Sequence, residues 1–521
     1  MNTTTELEMP DQARMVGALR AILPQPVELH ETHISWVLLT GKFAYKIKKA
    51  VNFGFLDFST LEKRRFYCHE ELRLNRRLAP QLYLDVVPIN GSTAFPLLDG
   101  SGKAIEVAVK MRRFPASAQF DVMLAHGTLE PAQIDAIALK IADFHRTTAV
   151  AAPGSPFGTL EAIHQPALQN FAQIRPHLDQ AADLAHLERL QSWSESEFQR
   201  LEATFAQRRQ QGFIRECHGD LHLANLALFE GEVAPFDCIE FNENLRWIDV
   251  ISEIAFLAMD LHDRGQPEFA WRLLNAYLEH SGDYAGLTVL RYYLVYRALV
   301  RAKVASLSCS QNILTGTTLA QCREYLALAE TFIRPHPPFI LITHGLSGSG
   351  KTTLAGALAE TLGAIRVRSD VERKRLFGLA PTARSGSAVD GGLYTAEAHQ
   401  LTYRKLAELT QNIVGAGYPV IVDAAFLEHS QREIFSQLAK NLEIGFAILD
   451  LLAPPEILQQ RISQREKTGR DASEASVAVL QRQLAYDEPL TENEKCRAIH
   501  VDAQHYSSEE ILAATRRLLA R

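Results

Sequence analysis

Two short stretches of this 521-residue chain gather residue types suited to handling phosphate. In GLSGSGKT, Gly345, Ser347, Gly348, Ser349 and Gly350 lead into Lys351, Thr352 and Thr353. Glycines reach backbone angles that turn successive N–H groups toward one anion, and a helix opening behind them adds its positive dipole end. Lys351 would neutralise the outer phosphates of a nucleoside triphosphate such as ATP, and the Thr352 hydroxyl would ligate Mg2+. The second stretch, HGDLHLANLALFEGEVAPFD, begins at His218. Its spacing suits one acid that engages an acceptor hydroxyl, Asp220, and two oxygen ligands for magnesium, Asn225 and Asp237. Between them LALFEGEVAPFD reads as a hairpin that brings the two metal ligands together.

Other residues would complete each constellation. In RSDVERKRLF, Asp370 follows a strand-like run and Arg373 lies about one helical turn on. The carboxylate can accept a hydroxyl proton and the arginine can hold an anionic group, or the pair is a helix cap with a solvated arginine. VIVDAAF places Asp423 where it would hold magnesium through water or cap the next segment. RISQREKTGRDASEA carries Arg461, Arg465 and Arg470, either a flap that neutralises the transferring group or an exposed charged helix. Upstream, FAYK has the form of a nucleotide-lysine strand, with Lys46 for the α and β phosphates and Lys48 of the same parity as the fallback. Glu71, or Glu70, should pair with that lysine. VAVKMRRF puts Met111 and Arg113 where two lobes would join, with backbone available to an adenine ring.

The elements that must position these groups follow from periodicity. HISWVLL and FAYKIKK form a hairpin turning at Thr40-Gly41-Lys42. Leu61 to Ala79 reads as a helix with Leu61, Arg65, Cys68, Leu72 and Leu78 on its inner stripe. Ile105 to Met111 alternates as a strand, and beyond Pro131 helical patterns dominate except around residues 214–241. Leu287 to Phe332 reads as two helices. RPHPPF, Arg334 to Phe339, breaks the pattern with its prolines. We therefore expect an α+β domain over 1–333, with a small lobe at about 28–115 and a helical lobe at about 116–333. A linker at 334–338 would lead into an α/β domain over 339–521. Strand-like runs at 339–343, 364–369, 419–423, 444–451 and 497–501 alternate with helices there, which predicts a parallel sheet covered on both faces.

Composition bounds the rest. A chain of this length holds about two to four domains. With 47% hydrophobic and 22% charged residues and a net charge of −7, it is globular and no general polyanion binder. Its six cysteines form no CxxC pair, which excludes a disulfide framework or zinc spacing and suits a cytoplasmic location. The acidic, polar N-terminus lacks a secretory signal, and no run is long enough to span a membrane. No pattern specifies an oligomeric state.

The motifs carry a resemblance. With GLSGSGKT, the Asp370-x-x-Arg373 pair and the arginine segment ending RDASEA, residues 338–521 resemble the P-loop small-molecule kinases, the adenylate kinase-like, gluconate kinase-like and polynucleotide 5′-kinase-like group. With HGDLHLAN, Asp237, FAYK and RWIDVISEIAFL, residues from about 28 to 330 resemble the aminoglycoside phosphotransferase branch of the protein-kinase-like fold. There the resemblance implies that Asp249 braces the catalytic loop. No G-x-G-x-x-G precedes the lysine strand; ETHIS stands in that place. In this order the two halves closely match the bacterial bifunctional aminoglycoside phosphotransferase/ATP-binding proteins. The resemblance implies two ATP–Mg2+ sites and a small-molecule acceptor. The alternatives are a C-terminal half acting on nucleic-acid ends or a nucleotide sugar, and a regulatory module in which one domain alone catalyses. His145 and Arg146 read as structural or as substrate contacts, and Asp260, His262 and Asp263 as polar residues for an acceptor pocket.

Overall fold

The computed structural model describes residues 7–54, 56–310, 319–334, 337–381, 383, 395–468 and 476–519, with side chains omitted at 308–310 and 465–468. Packing divides the chain into two compact units: residues 1–136, 143–169 and 202–260 in one, and 137–142, 170–201 and 261–521 in the other.

The first unit is built on a six-stranded sheet. Its order is Glu28–Glu31, Ser35–Leu39, Phe43–Lys48, Glu106–Arg112, Tyr83–Gly91, Pro96–Leu98, antiparallel throughout. Alternation assigns the two faces. Trp36, Leu38, Tyr45, Ile47, Val87 and Ile89 pack with Met15, Val16 and Leu19 of the helix Met9–Ile22. Val107 and Val109 instead meet Cys68 and Leu72 of the helix Leu61–Asn75. Lys46 and Lys48 have the opposite parity to Tyr45 and Ile47, so they face that second helix.

The second helix starts where the Thr60 side chain accepts from the Lys63 amide, and it ends at Asn75, short of the expected Ala79. Its inner stripe also differs by one residue. Arg64 is fully buried and Arg65 is exposed. The burial is tolerated because the Glu106 carboxylate receives Arg64 Nε at 3.0 Å and the Phe58 carbonyl receives Nη1 at 3.0 Å.

In the second unit five parallel strands run in the order Ile365–Arg368, Val420–Asp423, Phe339–His344, Gly445–Leu452, Ala498–Asp502. Leu341, Ile421, Leu449 and Val501 lie on one face against Leu354 and Leu358 of the helix Lys351–Leu362. This order places the carboxyl end of Phe339–His344, and so the glycine loop that follows, in the middle of the sheet.

The edge strand Ile365–Arg368 is covered by the helix Pro267–Ser281. Asn275 of that helix acts as a missing strand residue. Its Nδ2 donates to the Ala364 carbonyl at 3.0 Å, and its Oδ1 accepts from the Arg366 amide at 2.7 Å. This satisfies edge groups that would otherwise template foreign strands. We predict that Asn275→Ala destabilises the second unit by about 1–3 kcal/mol, because two backbone groups lose their partners. Thermal unfolding checks this. Asn275→Ala unfolding at the parental temperature would remove the residue from the edge account.

Candidate active sites

In the first unit the sheet delivers Lys46 to the helix carrying Glu71, at 2.9 Å, and Lys46 also pairs with Asp237. Lys48 pairs with the other oxygen of Glu71 at 2.6 Å and with Glu240. Glu70 turns instead to Arg73, 2.8 Å away. Burial would lower the Lys46 ammonium, but Asp237 and Glu71 outweigh it and hold it well above the ordinary lysine range. Glu71 is held below the usual carboxylate range, since its two lysines outweigh burial.

The hairpin is formed by Leu226–Phe229 and Glu232–Pro235. Beyond it the Phe236 amide donates to the Asn225 carbonyl at 2.9 Å, so Asn225 and Asp237 flank the base of the ladder. Asp237 itself adopts φ 64°, a left-handed backbone uncommon outside glycine, and its amide is held by the Tyr83 hydroxyl at 3.1 Å. Asn225 Nδ2 donates to Asp220 Oδ2 at 3.0 Å. Asn225 and Asp237 supply the oxygen chemistry magnesium prefers, with Asp220 beside them.

The loop bearing Asp220 is braced by Glu253, and this corrects the expectation for Asp249. Asp249 stands just before the helix Val250–Asp263 and binds Arg208 at 2.7 and 2.9 Å. Glu253, one turn on, accepts from the His218 amide at 3.0 Å and the Gly219 amide at 2.7 Å, and lies 3.1 Å from His145 Nε2. Burial would raise Glu253, but His145 and His218 pull it down to about 2. Asp260 accepts from the Leu223 amide at 2.9 Å and so serves the same loop. His262, in the second unit, packs against Trp271 and Phe332, and burial lowers it to about 4. Arg146 is exposed and pairs with Asp143. Met111 packs beside Tyr83, Phe114 and Phe236. Arg113 is engaged elsewhere: its amide donates to Lys42, and its guanidinium binds the Thr40 carbonyl and Glu28.

In the second unit the glycine loop closes tightly. Gly345, at φ 136°, leaves no room for a Cβ, which would sit 2.5 Å from the Leu451 carbonyl; at Gly348, φ 85°, it would meet the Leu458 carbonyl at 2.9 Å. Gly350 precedes the helix Lys351–Leu362. Lys351 Nζ donates to the Gly345 and Leu346 carbonyls, both at 2.8 Å, and the Ser347 amide to Gln483 Oε1 at 2.9 Å.

A cavity of about 750 Å³ opens from this loop and is lined by Lys351, Thr352, Thr353, Asp370, Arg373 and Asp423, among others. Asp370 makes no cap: the helix Ser369–Leu376 has Arg368 at its N-cap position, and Asp370 instead receives Arg373 Nη1 at 2.9 Å. Asp423 is buried beside Thr352, and its Oδ2 has no hydrogen-bond partner among the described residues. Burial outweighs the nearby Arg368, Arg366 and Lys351 and raises its carboxyl. An orphaned, buried carboxylate oxygen beside a loop threonine fits a hard cation. Arg461 reaches the Gly348 carbonyl at 3.4 Å and the Ala503 carbonyl at 2.9 Å. The Arg465 side chain and Arg470 lie outside the described residues.

Sequence reading missed Arg368, His399 and Gln483, which also line the cavity. His399 packs against Tyr403 with ring centroids 5.0 Å apart and ring planes tilted by 43°. Burial, with the Arg373 charge, lowers it to about 4. The i, i+4 spacing of His399 and Tyr403 was visible, but nothing in it distinguished a cavity wall from a core stripe.

The Phosphotransferase enzyme family matches residues 63–291, and the AAA domain family matches residues 340–490. The uncharacterized protein Rv2004c of Mycobacterium tuberculosis is 30% identical over 462 residues, covering 88% of this chain and 91% of its own. Mb2027c of Mycobacterium bovis gives the same values. This chain belongs to their family. It joins an aminoglycoside phosphotransferase-like kinase domain to a P-loop kinase-like domain, and it is an ATP-dependent kinase. Similar solved structures include a choline/ethanolamine kinase family protein from Mesorhizobium loti, 12% identical with a TM-score of 0.40, covering 63% of this chain and 95% of that one. A sugar kinase from Janibacter is 25% identical with a TM-score of 0.28, covering 36% and 95%. Among the described residues no helix is long and apolar enough to cross a membrane.

We predict that Glu253→Ala destabilises the first unit by about 2–5 kcal/mol, since the His218 and Gly219 amides lose their acceptor. Because the Glu253 carboxyl is lowered from 4.5 to about 2, its charge contributes stability above about pH 4.5. That contribution fades as pH falls toward 2. Denaturant unfolding of parent and variant at several pH values measures the gap. A gap unchanged on acidification would contradict the assignment.

Proposed function

We propose that the chain carries two separate ATP–Mg2+ sites, each transferring a γ-phosphoryl group to a hydroxyl of a small molecule. The reading rests on one recurring arrangement. Each unit gathers, from separate elements, a lysine for the phosphates, oxygen ligands for a metal and a further carboxylate for an acceptor. We place the functional boundary at residues 334–338, between a kinase domain over 1–333 and a P-loop domain over 339–521.

In the first site Lys46 would leave Asp237 for the α and β phosphates while Glu71 keeps its orientation. Asp220 would receive the acceptor proton, and Glu253 would hold its loop in place through the amides. In the second, Lys351 would exchange the loop carbonyls for phosphate oxygens. Asp370, fixed by Arg373, would receive the proton of a hydroxyl placed in the cavity. Arg461 would steady the loop. Magnesium, held by Asn225 and Asp237 in one site and by Thr352 and Asp423 in the other, would supply charge neutralisation on the phosphates.

Turnover of ATP against pooled metabolite alcohols tests this. General-base assistance is worth about 10²–10⁴ in rate. Asp220→Asn should lose that factor on one set of acceptors and Asp370→Asn on another. One variant abolishing transfer to every acceptor would contradict two separate sites.

A further inference from the structure

Glu279 lies on the helix Pro267–Ser281, inside the segment matched by the Phosphotransferase enzyme family, yet its carboxylate serves the P-loop unit. Its two oxygens divide between two arginines of the edge strand. Oε1 receives Arg368 Nη1 at 2.9 Å, and Oε2 receives Arg366 Nη2 at 3.0 Å. Its backbone carbonyl accepts from Arg375 at 2.5 Å. Arg366 also donates to the Thr352 carbonyl at 3.2 Å, behind the threonine that lines the cavity beside Asp423. Arg368 Nε stands 3.8 Å from Asp423 Oδ2, the oxygen with no hydrogen-bond partner.

Arg368 thus spans two carboxylates, hydrogen-bonded to Glu279 and ion-paired with Asp423 at 3.8 Å without a hydrogen bond. Guanidinium and carboxylate form bidentate pairs wherever geometry allows. A direct hydrogen-bonded pair between Arg368 and Asp423 would occupy the oxygen that fits a cation and would bring the guanidinium charge closer to the site than its present 3.8 Å.

We propose that Glu279 is a positioning residue for the metal of the P-loop site: by holding Arg368 and Arg366 it keeps Asp423 open to Mg2+. The proposal rests on the reading that Thr352 and Asp423 hold the metal. It makes a helix of the phosphotransferase segment part of the P-loop chemistry, so the second site is complete only in the joined chain.

The test uses the full chain with Asp237→Asn, which silences the metal ligand of the first site. Mn2+, as a probe for Mg2+, is titrated by electron paramagnetic resonance with a non-hydrolysable ATP analogue present. Nucleotide affinity is measured separately in chelator. Glu279→Gln should weaken Mn2+ about tenfold, the effect of one uncompensated charge nearby, and leave metal-free nucleotide affinity equal or higher. Adding Arg368→Gln to Glu279→Gln should restore Mn2+ affinity. Arg368→Gln alone, which retains every carboxylate, should bind Mn2+ at least as well as the parent and covers the case in which Glu279→Gln fails to fold. Parental Mn2+ affinity in Glu279→Gln with a lowered melting temperature would overturn the proposal and make Glu279 purely structural. Weaker Mn2+ binding in Arg368→Gln alone would overturn it too. No Mn2+ binding in the parent, with nucleotide bound in chelator, would overturn the metal reading itself, and this proposal with it.

Discussion

A site that receives polyphosphate must carry positive charge before the phosphate arrives, and a buried cation is tolerable only when something balances it. Lys46 and Lys48 show the constraint most fully. Both ammonium groups are buried, and Glu71, Asp237 and Glu240 surround them. The same logic runs through the P-loop unit with weaker partners. Lys351 rests on backbone carbonyls, and Arg366 and Arg368 rest on Glu279. In both units the groups that would meet phosphate are already placed, and binding would exchange one set of oxygens for another. That exchange limits the reorganisation needed when nucleotide enters.

The supporting carboxylates explain why the loops hold their shapes. The Asp220 loop is bound through its backbone by Glu253 and Asp260 on a single helix. Such bonds fix geometry without competing for substrate. In the P-loop unit the strand order brings the glycine loop to the centre of the sheet edge, with Asp423 on one neighbouring strand and Asp370 beyond the next. A ligand at that edge meets all three, as open α/β sheets favour.

Much of this was legible in the sequence because the motifs are local. GLSGSGKT and its flanking strand and helix are contiguous, and all five parallel strands were expected within a residue or two of their observed bounds. The hairpin between Asn225 and Asp237 was legible for the same reason. What could not be read were long-range choices. Arg64 rather than Arg65 turns inward because Glu106, on a distant strand, waits for it. Glu253 rather than Asp249 braces the loop because the helix begins at Val250 and one turn of rotation decides which acid faces it. Asn275 and Glu279 acquire their roles only from the packing of a helix against an edge strand nearly ninety residues on.

The central claim is that one chain holds two nucleotide sites that fill independently. Calorimetric titration with a non-hydrolysable ATP analogue and Mg2+ measures this directly. The account predicts two equivalents per chain, falling to one in Lys351→Ala and to one in Lys46→Ala, with the remaining affinity unchanged in each. A single equivalent in the parent, or the loss of all binding in either variant, would contradict it.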